Sequence, residues 1–355
     1  MKALVLCAGR GSRLRPLTHT RAKAALPVAG RPVLLHVLDY LLRHGFTEVG
    51  VVISPYQDDL RRLIPRQGGQ RVQLIVQQEA RGIAHAVSTA RPFLQDAEFL
   101  LYLGDNLTDE DLSPVLARFR YTRPAALITL REVENPRAFG VAEVEGERVI
   151  RVVEKPADPP SNLAVAGVYL FSPAVHEAIA TLQPSARGEL EITDAIARLL
   201  EWQRPVLGYR MQGWWQDMGT VEGLLSANTL LLDRITTQIH PGAVLDEVKI
   251  QGRVQIGPDV HLRRVRLRGP LVIGAGSQLA DSYIGPYTSV GDGTRMQQVA
   301  VENSILLPGC RLEGPALRLE DSLIGSGAEI WAREGHSVSL LVGDDAHLLI
   351  PPDRR

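Results

Sequence analysis

The sequence has little of several features that mark large classes of protein. It has two cysteines, Cys7 and Cys310, among 355 residues, so we expect small buried residues in a reducing compartment and no disulfide framework. It has no excess charge, with 39 Lys and Arg against 40 Asp and Glu, so nucleic acid and anionic membranes are not expected partners. No apolar run approaches the roughly 20 residues that span a bilayer, and the first run breaks at Gly9, too early for an export signal. We therefore expect a cytoplasmic protein.

The first half of the chain alternates apolar and amphipathic runs. The segment KALVLCA precedes the helix-like PVLLHVLDYLLRHG, and EVGVVIS, VQLIVQ and FLLYLG follow with helical segments between them. Apolar strands with helical crossovers predict a parallel sheet covered on both faces, with ligands beyond the carboxyl ends of its strands. From about residue 125 to residue 210 the strands become shorter, and we interpret this part as a sheet extension that carries a second substrate.

A different pattern follows the helix-like segment VEGLLSANTLLLDRI. An aliphatic residue followed by glycine recurs at Ile256-Gly257, Ile273-Gly274, Ile284-Gly285, Val290-Gly291 and Ile324-Gly325. Short β-branched segments separated by small residues predict hexapeptide coils stacked into a parallel β-helix. We expect two domains, with the boundary near Arg234.

The amino-terminal segment has cations and no acids. From Met1 to Leu38 there are seven Lys or Arg and no Asp or Glu. Glycines after the first strand let backbone N–H groups approach phosphate oxygens, and the basic side chains neutralise their charge. A dinucleotide fingerprint fails because Leu14 stands where a third glycine is needed, and the Gly-Lys-Ser/Thr of a Walker loop is absent. A tight turn with solvated arginines is the alternative, but the acid-free cluster favours phosphate binding.

This segment, LCAGRGSRLRPLTHTRAKAALPV, resembles the signature of the sugar-1-phosphate nucleotidyltransferases. That signature is Gly-x-Gly-Thr-Arg-Leu-x-Pro, with lysine ten residues after the arginine and then Pro-Val. Further landmarks of the family are matched in order by Gln77 with GIAHA at 82–86, LGDN at 103–106, FGV at 139–141, EKP at 154–156, GELEITD at 188–194 and WQD at 215–217. Ser12 replaces the usual threonine, Cys7-Ala8 stands where a glycine pair is common, and Gln216-Asp217-Met218 stands where Asp-Thr is usual. These departures leave the nucleotide preference open.

The motif order resembles the long glucose-1-phosphate thymidylyltransferases of this family over essentially the whole chain. The resemblance implies a Rossmann-like α/β nucleotidyltransferase domain with a mixed, mostly parallel sheet at residues 1–234. It implies a hexapeptide-repeat left-handed parallel β-helix at residues 235–355. The implied reaction joins glucose 1-phosphate to dTTP, with Mg²⁺, by in-line attack of the sugar phosphate on the α-phosphorus, and releases pyrophosphate. We expect a homo-oligomer whose β-helix serves assembly or regulation.

The resemblance also implies roles for individual residues. It assigns Arg13, Lys23 and Asp105 to catalysis; Ala8, Gly9, Gly11, Ser12, Arg13, Gln77 and Gly82 to the nucleotide; Asn106, Gly140, Glu154, Lys155 and Val165 to the sugar phosphate; and Asp105 and Asp217 to Mg²⁺. Guanidinium forks suit pairs of phosphate oxygens, and carboxylates suit this hard cation. Taken alone, Asp105 is equally well explained as a helix cap and Glu154-Lys155 as an exposed turn. The GELEITD segment has no assigned role.

Several alternatives stay open or are disfavoured at this stage. A UTP-dependent sugar pyrophosphorylase stays open. A catalytically silent regulatory subunit of the same fold is a further alternative, against which the presence of Arg13, Lys23, Asp105 and Asp217 argues. An NAD-dependent enzyme is disfavoured by the failed fingerprint. A bifunctional uridylyltransferase with an acyltransferase β-helix is disfavoured because about 120 residues follow Arg234, although His261 and His336 could act as bases.

Overall fold

The computed structural model describes residues 1–9, 11–64, 71–333 and 337–351. The chain forms two compact units. The α/β unit comprises Met1–Arg10, Ala22–Ala24 and Leu34–Gln216, and the β-helix unit comprises Gly11–Arg21, Ala25–Val33 and Asp217–Arg355. Two short amino-terminal segments therefore belong to the same compact unit as the β-helix. His336 lies outside the described residues.

The chain up to Leu232 contains eight α-helices and thirteen strands among its described residues. The helices are α1 Val33–Arg43, α2 Asp58–Leu63, α3 Ile83–Thr89, α4 Arg91–Leu94, α5 Leu112–Thr122, α6 Ala174–Ala180, α7 Ile192–Glu201 and α8 Val221–Leu232. The first strands are β1 Lys2–Leu6, β2 Pro27–Val28, β3 Arg31–Pro32, β4 Glu48–Ile53, β5 Arg71–Val76, β6 Phe99–Leu103, β7 Asn106–Thr108, β8 Ala126–Glu132, β9 Gly140–Glu145, β10 Arg148–Glu154, β11 Leu163–Phe171, β12 Val206–Arg210 and β13 Trp215–Asp217.

Within the described part of the chain, eighteen further strands follow α8. They are β14 Gln238–Ile239, β15 Val244–Asp246, β16 Lys249–Gln251, β17 Val254–Ile256, β18 His261–Arg263, β19 Arg266–Arg268, β20 Leu271–Ile273, β21 Gln278–Ala280, β22 Tyr283–Ile284, β23 Thr288–Val290, β24 Arg295–Glu302, β25 Ile305–Leu306, β26 Arg311–Glu320, β27 Leu323–Ile324, β28 Glu329–Ala332, β29 Ser337–Val338, β30 Leu341–Val342 and β31 His347–Ile350. Among the described residues, no helix is long and apolar enough to cross a membrane.

A nine-stranded sheet forms the centre of the α/β unit, in the order β5-β4-β1-β6-β11-β8-β12-β10-β9. The strands β5, β4, β1 and β6 pair in parallel, which confirms the prediction for the first half of the chain. The sheet is mixed, as predicted, but less parallel than predicted. Among the described strands beyond β6, β8 pairs in parallel with β12. Strand β11 runs antiparallel to β6 and β8, and β10 runs antiparallel to β9 and β12. This second half is the predicted sheet extension.

Apolar side chains on both faces of this sheet form the core of the α/β unit. All nine residues of β11 are buried, because a central strand covered on both faces has no solvent side. Helix α1 buries Val33, Leu34, Val37, Leu38 and Leu41, at the spacing of one helical face. Each fully buried Leu or Phe contributes about 1.5–3 kcal/mol relative to an exposed one. Cys7 is buried in this unit and Cys310 in the other, and burial raises the pKa of the Cys310 thiol to about 12.

The strands after α8 fit the predicted β-helix. In the first coils parallel partners lie 17 residues apart, as in the ladder Ile256, Ile273 and Val290, so one coil is about three six-residue faces. The ladders of one face form a seven-stranded sheet from β14 to β30, and a second sheet contains the other ladders. The aliphatic side chains of these ladders, including Leu262 and Leu279, form a continuous buried core. The recurring aliphatic-glycine pairs of the sequence mark the ends of β17, β20, β22, β23 and β27 and the turns that follow them.

Candidate functional site

The carboxyl ends of β1 and β6 lie side by side in the α/β unit. The two strands pair through Leu6 and Leu103, and the Gly104 N–H donates to the Leu6 carbonyl at 2.9 Å. A Cβ at Gly104 would lie 2.5 Å from the Cys7 Sγ atom, so only glycine fits this approach. A Cβ at Gly9 would meet no atom within 4 Å. Ala8 and Gly9 therefore lead from a buried strand into open space at the sheet edge where ligands of such folds bind.

Lys23 and Asp105 form an ion pair at this edge. The Lys23 Nζ atom lies 2.7 Å from Asp105 Oδ2, and their side chains are 11% and 39% exposed. Burial raises the pKa of Asp105, but the charge and hydrogen bond of Lys23 and the hydrogen bond of Asn106 lower it below its usual value. The Asp59 carboxylate accepts from the Ala22 N–H at 2.7 Å and so holds the backbone that leads to Lys23. Asp59 was not identified from the sequence.

Asn106 is a buried support for Asp105. Its Nδ2 atom donates to Asp105 Oδ1 at 2.8 Å, and its Oδ1 atom accepts from the Trp215 indole N–H at 2.7 Å. A Cβ at Gly167, where φ is +72°, would lie 3.2 Å from the Asn106 side-chain amide. Both ends of the amide are thus occupied by protein groups. The structure places Asn106 beside Asp105, where it fixes the orientation of the carboxylate.

Gln77 and Gly82, the residues predicted to contact the nucleoside, are brought together by a tight turn. The Gln77 Nε2 atom lies 2.8 Å from His85 Nδ1 and 3.4 Å from the Gly82 carbonyl oxygen. Burial and then the charge of Arg81 lower the pKa of His85, which favours a neutral ring that accepts from Gln77. Gly82 has φ +101°, and a Cβ there would lie 2.5 Å from the Leu190 carbonyl oxygen.

Three residues predicted to hold the sugar converge on one carboxylate. Gly140 and Glu154 are cross-strand partners in the β9–β10 hairpin. A Cβ at Gly140 would lie 2.9 Å from Thr193 Cγ2, 3.2 Å from Glu154 Oε2 and 3.7 Å from Val165 Cγ2, so the glycine lets these side chains pack closely against its backbone. Lys155 follows in the left-handed region at φ +40°, and its Nζ atom lies 3.8 Å from Glu154 Oε1. The structure therefore brings Gly140, Glu154, Lys155 and Val165 together.

The GELEITD segment, to which the sequence assigned no role, connects the Gln77–Gly82 cluster with the Glu154 cluster. Leu190 exchanges backbone hydrogen bonds with Arg81 and Ala84 on either side of Gly82. The hydroxyl of Thr193 donates to Glu154 Oε2 at 3.2 Å. Arg187, just before the segment, lies 3.3 Å from Glu154 Oε1 and 3.3 Å from Glu191 Oε1. One segment thus supports both the nucleoside turn and the sugar carboxylate.

Gly11, Ser12, Arg13 and Asp217 belong to the β-helix unit. Gly11 adopts φ +60° and begins a short 3-10 turn from Ser12 to Leu14. The Arg13 guanidinium and the Asp217 carboxylate converge on Gly219. A Cβ at Gly219 would lie 2.5 Å from Arg13 Nη2 and 3.1 Å from Asp217 Oδ1. The Arg13 guanidinium therefore packs against the backbone of Gly219, next to the Asp217 carboxylate.

The chain is similar in sequence to known proteins. Residues 2–234 match the family described as nucleotidyl transferase. The chain is 40% identical over 99% of its length to the glucose-1-phosphate thymidylyltransferase of Streptomyces griseus, 99% of which is covered. It is 37% identical over 66% of its length to the UTP–glucose-1-phosphate uridylyltransferase AglF of Haloferax volcanii, 98% of which is covered.

A solved structure is also similar. It is described as a glucose-1-phosphate thymidylyltransferase from Bacillus anthracis in complex with sucrose. It has a TM-score of 0.62 and 34% identity, over 67% of this chain and 98% of that one. The family match covers the first two thirds of the chain, and the whole-length relative extends the likeness through the β-helix. This chain belongs to the nucleotidyl transferase family, and its homologues support a sugar-phosphate nucleotidyltransferase.

Proposed function

We propose that this protein condenses glucose 1-phosphate with dTTP to give dTDP-glucose and pyrophosphate. The observation that carries the proposal is the 40% identity to a glucose-1-phosphate thymidylyltransferase over 99% of both chains. The cluster of Gly140, Glu154, Lys155 and Val165 supports it, because it combines a carboxylate for sugar hydroxyls with a cation for the sugar phosphate.

In the proposed reaction the protein positions two anions and stabilises charge. A phosphate oxygen of the sugar phosphate attacks the α-phosphorus in line, and pyrophosphate leaves from the opposite side. We assign Lys155 to the sugar phosphate and Glu154 to its hydroxyls. We assign Arg13 to the departing pyrophosphate and Lys23 to the triphosphate, because both are cations in the glycine-rich segment. These assignments need no covalent enzyme intermediate.

We propose Mg²⁺ as the cofactor, with Asp105 and Asp217 as the residues that would hold it. Their chemistry fits the ion, because carboxylate oxygens are the ligands that Mg²⁺ takes from proteins. The Asp105 side chain is 39% exposed although it is paired with Lys23. When bound, the ion would neutralise phosphate charge. Asn106 keeps the Asp105 carboxylate oriented for this role.

The second candidate is a UTP-dependent reaction at the same site. The observation that favours it is the 37% identity to a uridylyltransferase over 66% of this chain. The Gln77 Nε2 atom is bonded to His85 and to the Gly82 carbonyl oxygen, and an amide oxygen accepts, so the Gln77 oxygen could accept from the ring N–H that both pyrimidines carry. The distinction between thymine and uracil is one methyl group, which a pocket typically discriminates by about 1–3 kcal/mol.

The remaining features concern the handedness of the β-helix, the assembly of the protein and its location. We propose that the β-helix is left-handed, as the resemblance implies, and that the protein assembles as a homo-oligomer, because repeat faces tend to pack against copies of themselves. The cytoplasmic location stays a prediction from the sequence.

A matrix of four nucleoside triphosphates against several hexose 1-phosphates, with pyrophosphate release measured, tests the proposal. We expect the highest kcat/KM for dTTP with glucose 1-phosphate. A higher value for UTP would establish the second candidate. No release above that of the Asp105→Asn variant, with any pair of substrates, would refute both and leave a catalytically silent subunit.

A further inference from the structure

Asp344, in the turn between β30 and β31, is bonded to the amino-terminal segment Gly11–Arg21 within the β-helix unit. The Thr20 hydroxyl donates to Asp344 Oδ2 at 2.6 Å, and Arg21 Nε and Nη2 donate to the same oxygen at 3.2 and 2.8 Å. The side chains of Arg21 and Asp344 are 22% and 7% exposed. Charge-assisted bonds between groups withdrawn from water are among the stronger polar contacts, and removing one partner leaves the other charge unpaired.

A second set of contacts accompanies this ion pair. Arg21 Nη2 also donates to the Ser326 hydroxyl at 2.9 Å, one coil before Asp344. A Cβ at Gly343 would lie 3.1 Å from the Pro16 Cβ atom, so the bare glycine lets Pro16 approach the turn closely. The segment thus meets two successive coils at two places.

The segment is internally bonded, so fixing one end constrains the other. The Thr18 hydroxyl donates to the Gly11 carbonyl at 2.7 Å, and the Leu14 N–H donates to the same carbonyl at 3.0 Å. Leu14 and Leu17 are fully buried. Arg13 lies inside this bonded segment, and therefore its backbone position depends on where Thr20 and Arg21 are held.

Another aspartate of the β-helix shows what coil stacking alone requires. Asp292 also follows a glycine, and its Oδ1 atom accepts from the Ala275 N–H at 2.8 Å. Asp344 Oδ1 accepts in the same way from the Ser326 N–H at 2.7 Å. The coil therefore uses one oxygen of each aspartate. The contacts of Asp344 Oδ2 with Thr20 and Arg21 are additional to stacking.

We propose that Asp344 is a positioning residue for the triphosphate, because it holds the segment that carries Gly11, Ser12 and Arg13. The proposal rests on the proposed function only in assigning these three residues to the nucleotide; displacing the segment moves the backbone of Gly11 and Ser12 as well, and so weakens nucleotide binding, whereas Arg13→Ala removes one side chain and leaves that backbone in place. It gives the β-helix a part in substrate binding, in addition to the assembly or regulatory role expected from the sequence. Truncation of the β-helix would then impair nucleotide binding as well as assembly.

Two readouts on the full-length protein test the proposal: amide hydrogen exchange of residues 11–21 without substrates, and steady-state kinetics. In Asp344→Ala we expect exchange in this segment to become at least about ten-fold faster and KM for dTTP to rise about ten-fold, with KM for glucose 1-phosphate within about two-fold of wild type. Arg21→Ala should reproduce both effects, and the double variant should be no worse than about two-fold beyond either single variant. The matched control Asp292→Ala should lower thermal stability while leaving exchange of residues 11–21 and KM for dTTP unchanged.

Wild-type exchange of residues 11–21 and wild-type KM for dTTP in Asp344→Ala would overturn the proposal, as would equal effects in Asp292→Ala. If Asp344→Ala does not fold, Arg21→Ala decides alone, because it breaks the ion pair and leaves the bond from the Ser326 N–H to Asp344 Oδ1 intact. Exchange is measured without turnover. A wild-type protein inactive with every substrate pair would therefore refute the proposed function, while the exchange data would still decide whether Asp344 holds the segment.

Discussion

Replacing Gly82 with alanine is expected to disturb both substrate clusters of the α/β unit. Gly82 has φ +101° and ψ 173°, a region open essentially to glycine alone. The added Cβ would lie 2.5 Å from the carbonyl oxygen of Leu190 and 2.8 Å from its nitrogen. Because hydrogen bonds to Arg81 and Ala84 hold Leu190 in place, the backbone of one partner must move.

The size of the effect follows from two terms. The unfavourable backbone conformation costs about 1–3 kcal/mol, and displacing packed backbone costs about another 1–3 kcal/mol. Gly146 separates the two terms, because it has φ +62° and a Cβ there would meet no atom within 4 Å. Gly146→Ala should therefore lose only the conformational term, about 1–2 kcal/mol.

Urea unfolding of the two variants and the wild type measures these losses, and steady-state kinetics measures the effect on substrates. We expect Gly82→Ala to be the less stable variant and to raise KM for both substrates, because the displaced Leu190 segment continues to Thr193 and hence to Glu154. Gly146→Ala should keep wild-type KM values. Equal stability losses in the two variants, with unchanged KM in both, would refute the close approach of Gly82 to Leu190.

Four further substitutions test other parts of the site and the core. Asp105→Asn should lower kcat about a hundred-fold or more, and near-normal pyrophosphate release would contradict its assignment. Lys155→Ala should lower kcat/KM about ten- to hundred-fold through KM for the sugar phosphate, whereas Arg13→Ala should act mainly on kcat. Steady-state kinetics with each substrate varied in turn separates the two effects. A rise confined to the triphosphate KM in Lys155→Ala would contradict the placement of Lys155 at the sugar phosphate. Burial and then the charge of Arg91 lower the pKa of His176 to about 4. The unfolded chain, with a histidine pKa near about 6.5, then binds more protons between these values, so stability present above pH about 6.5 is lost as the pH falls towards about 4. His176→Leu should flatten the pH dependence of the unfolding free energy measured in urea. An unchanged pH profile would count against the lowered pKa of His176.

The elements that the sequence predicted are those governed by local periodicity. Helix α1 and strands β1, β4 and β6 follow from apolar patterns within a few residues. The β-helix follows from a repeat in which every coil meets the same packing requirement. The antiparallel second half of the sheet was harder to predict from the sequence, because the direction of β11 beside β6 depends on where a long connection returns.

The supports of the candidate site could not be predicted, because they join residues far apart in the chain. Thr193 and Glu154 are separated by 39 residues, and Arg21 and Asp344 by 323. GELEITD was identified as a motif, but its acids are equally typical of caps and surface ion pairs. The contact of Gly82 with Leu190 needs three-dimensional placement, although the glycine itself was a signal for close backbone approach.

The central claim is that an oxygen of the sugar phosphate attacks the α-phosphorus of the nucleotide. Glucose 1-phosphate carrying ¹⁸O in its three peripheral phosphate oxygens, incubated with dTTP, Mg²⁺ and the full-length protein, tests it through the masses of the products. The account predicts dTDP-glucose that retains all three labels, together with an equal amount of unlabelled pyrophosphate. Label in the pyrophosphate, or release of dTMP without a sugar nucleotide, would contradict it.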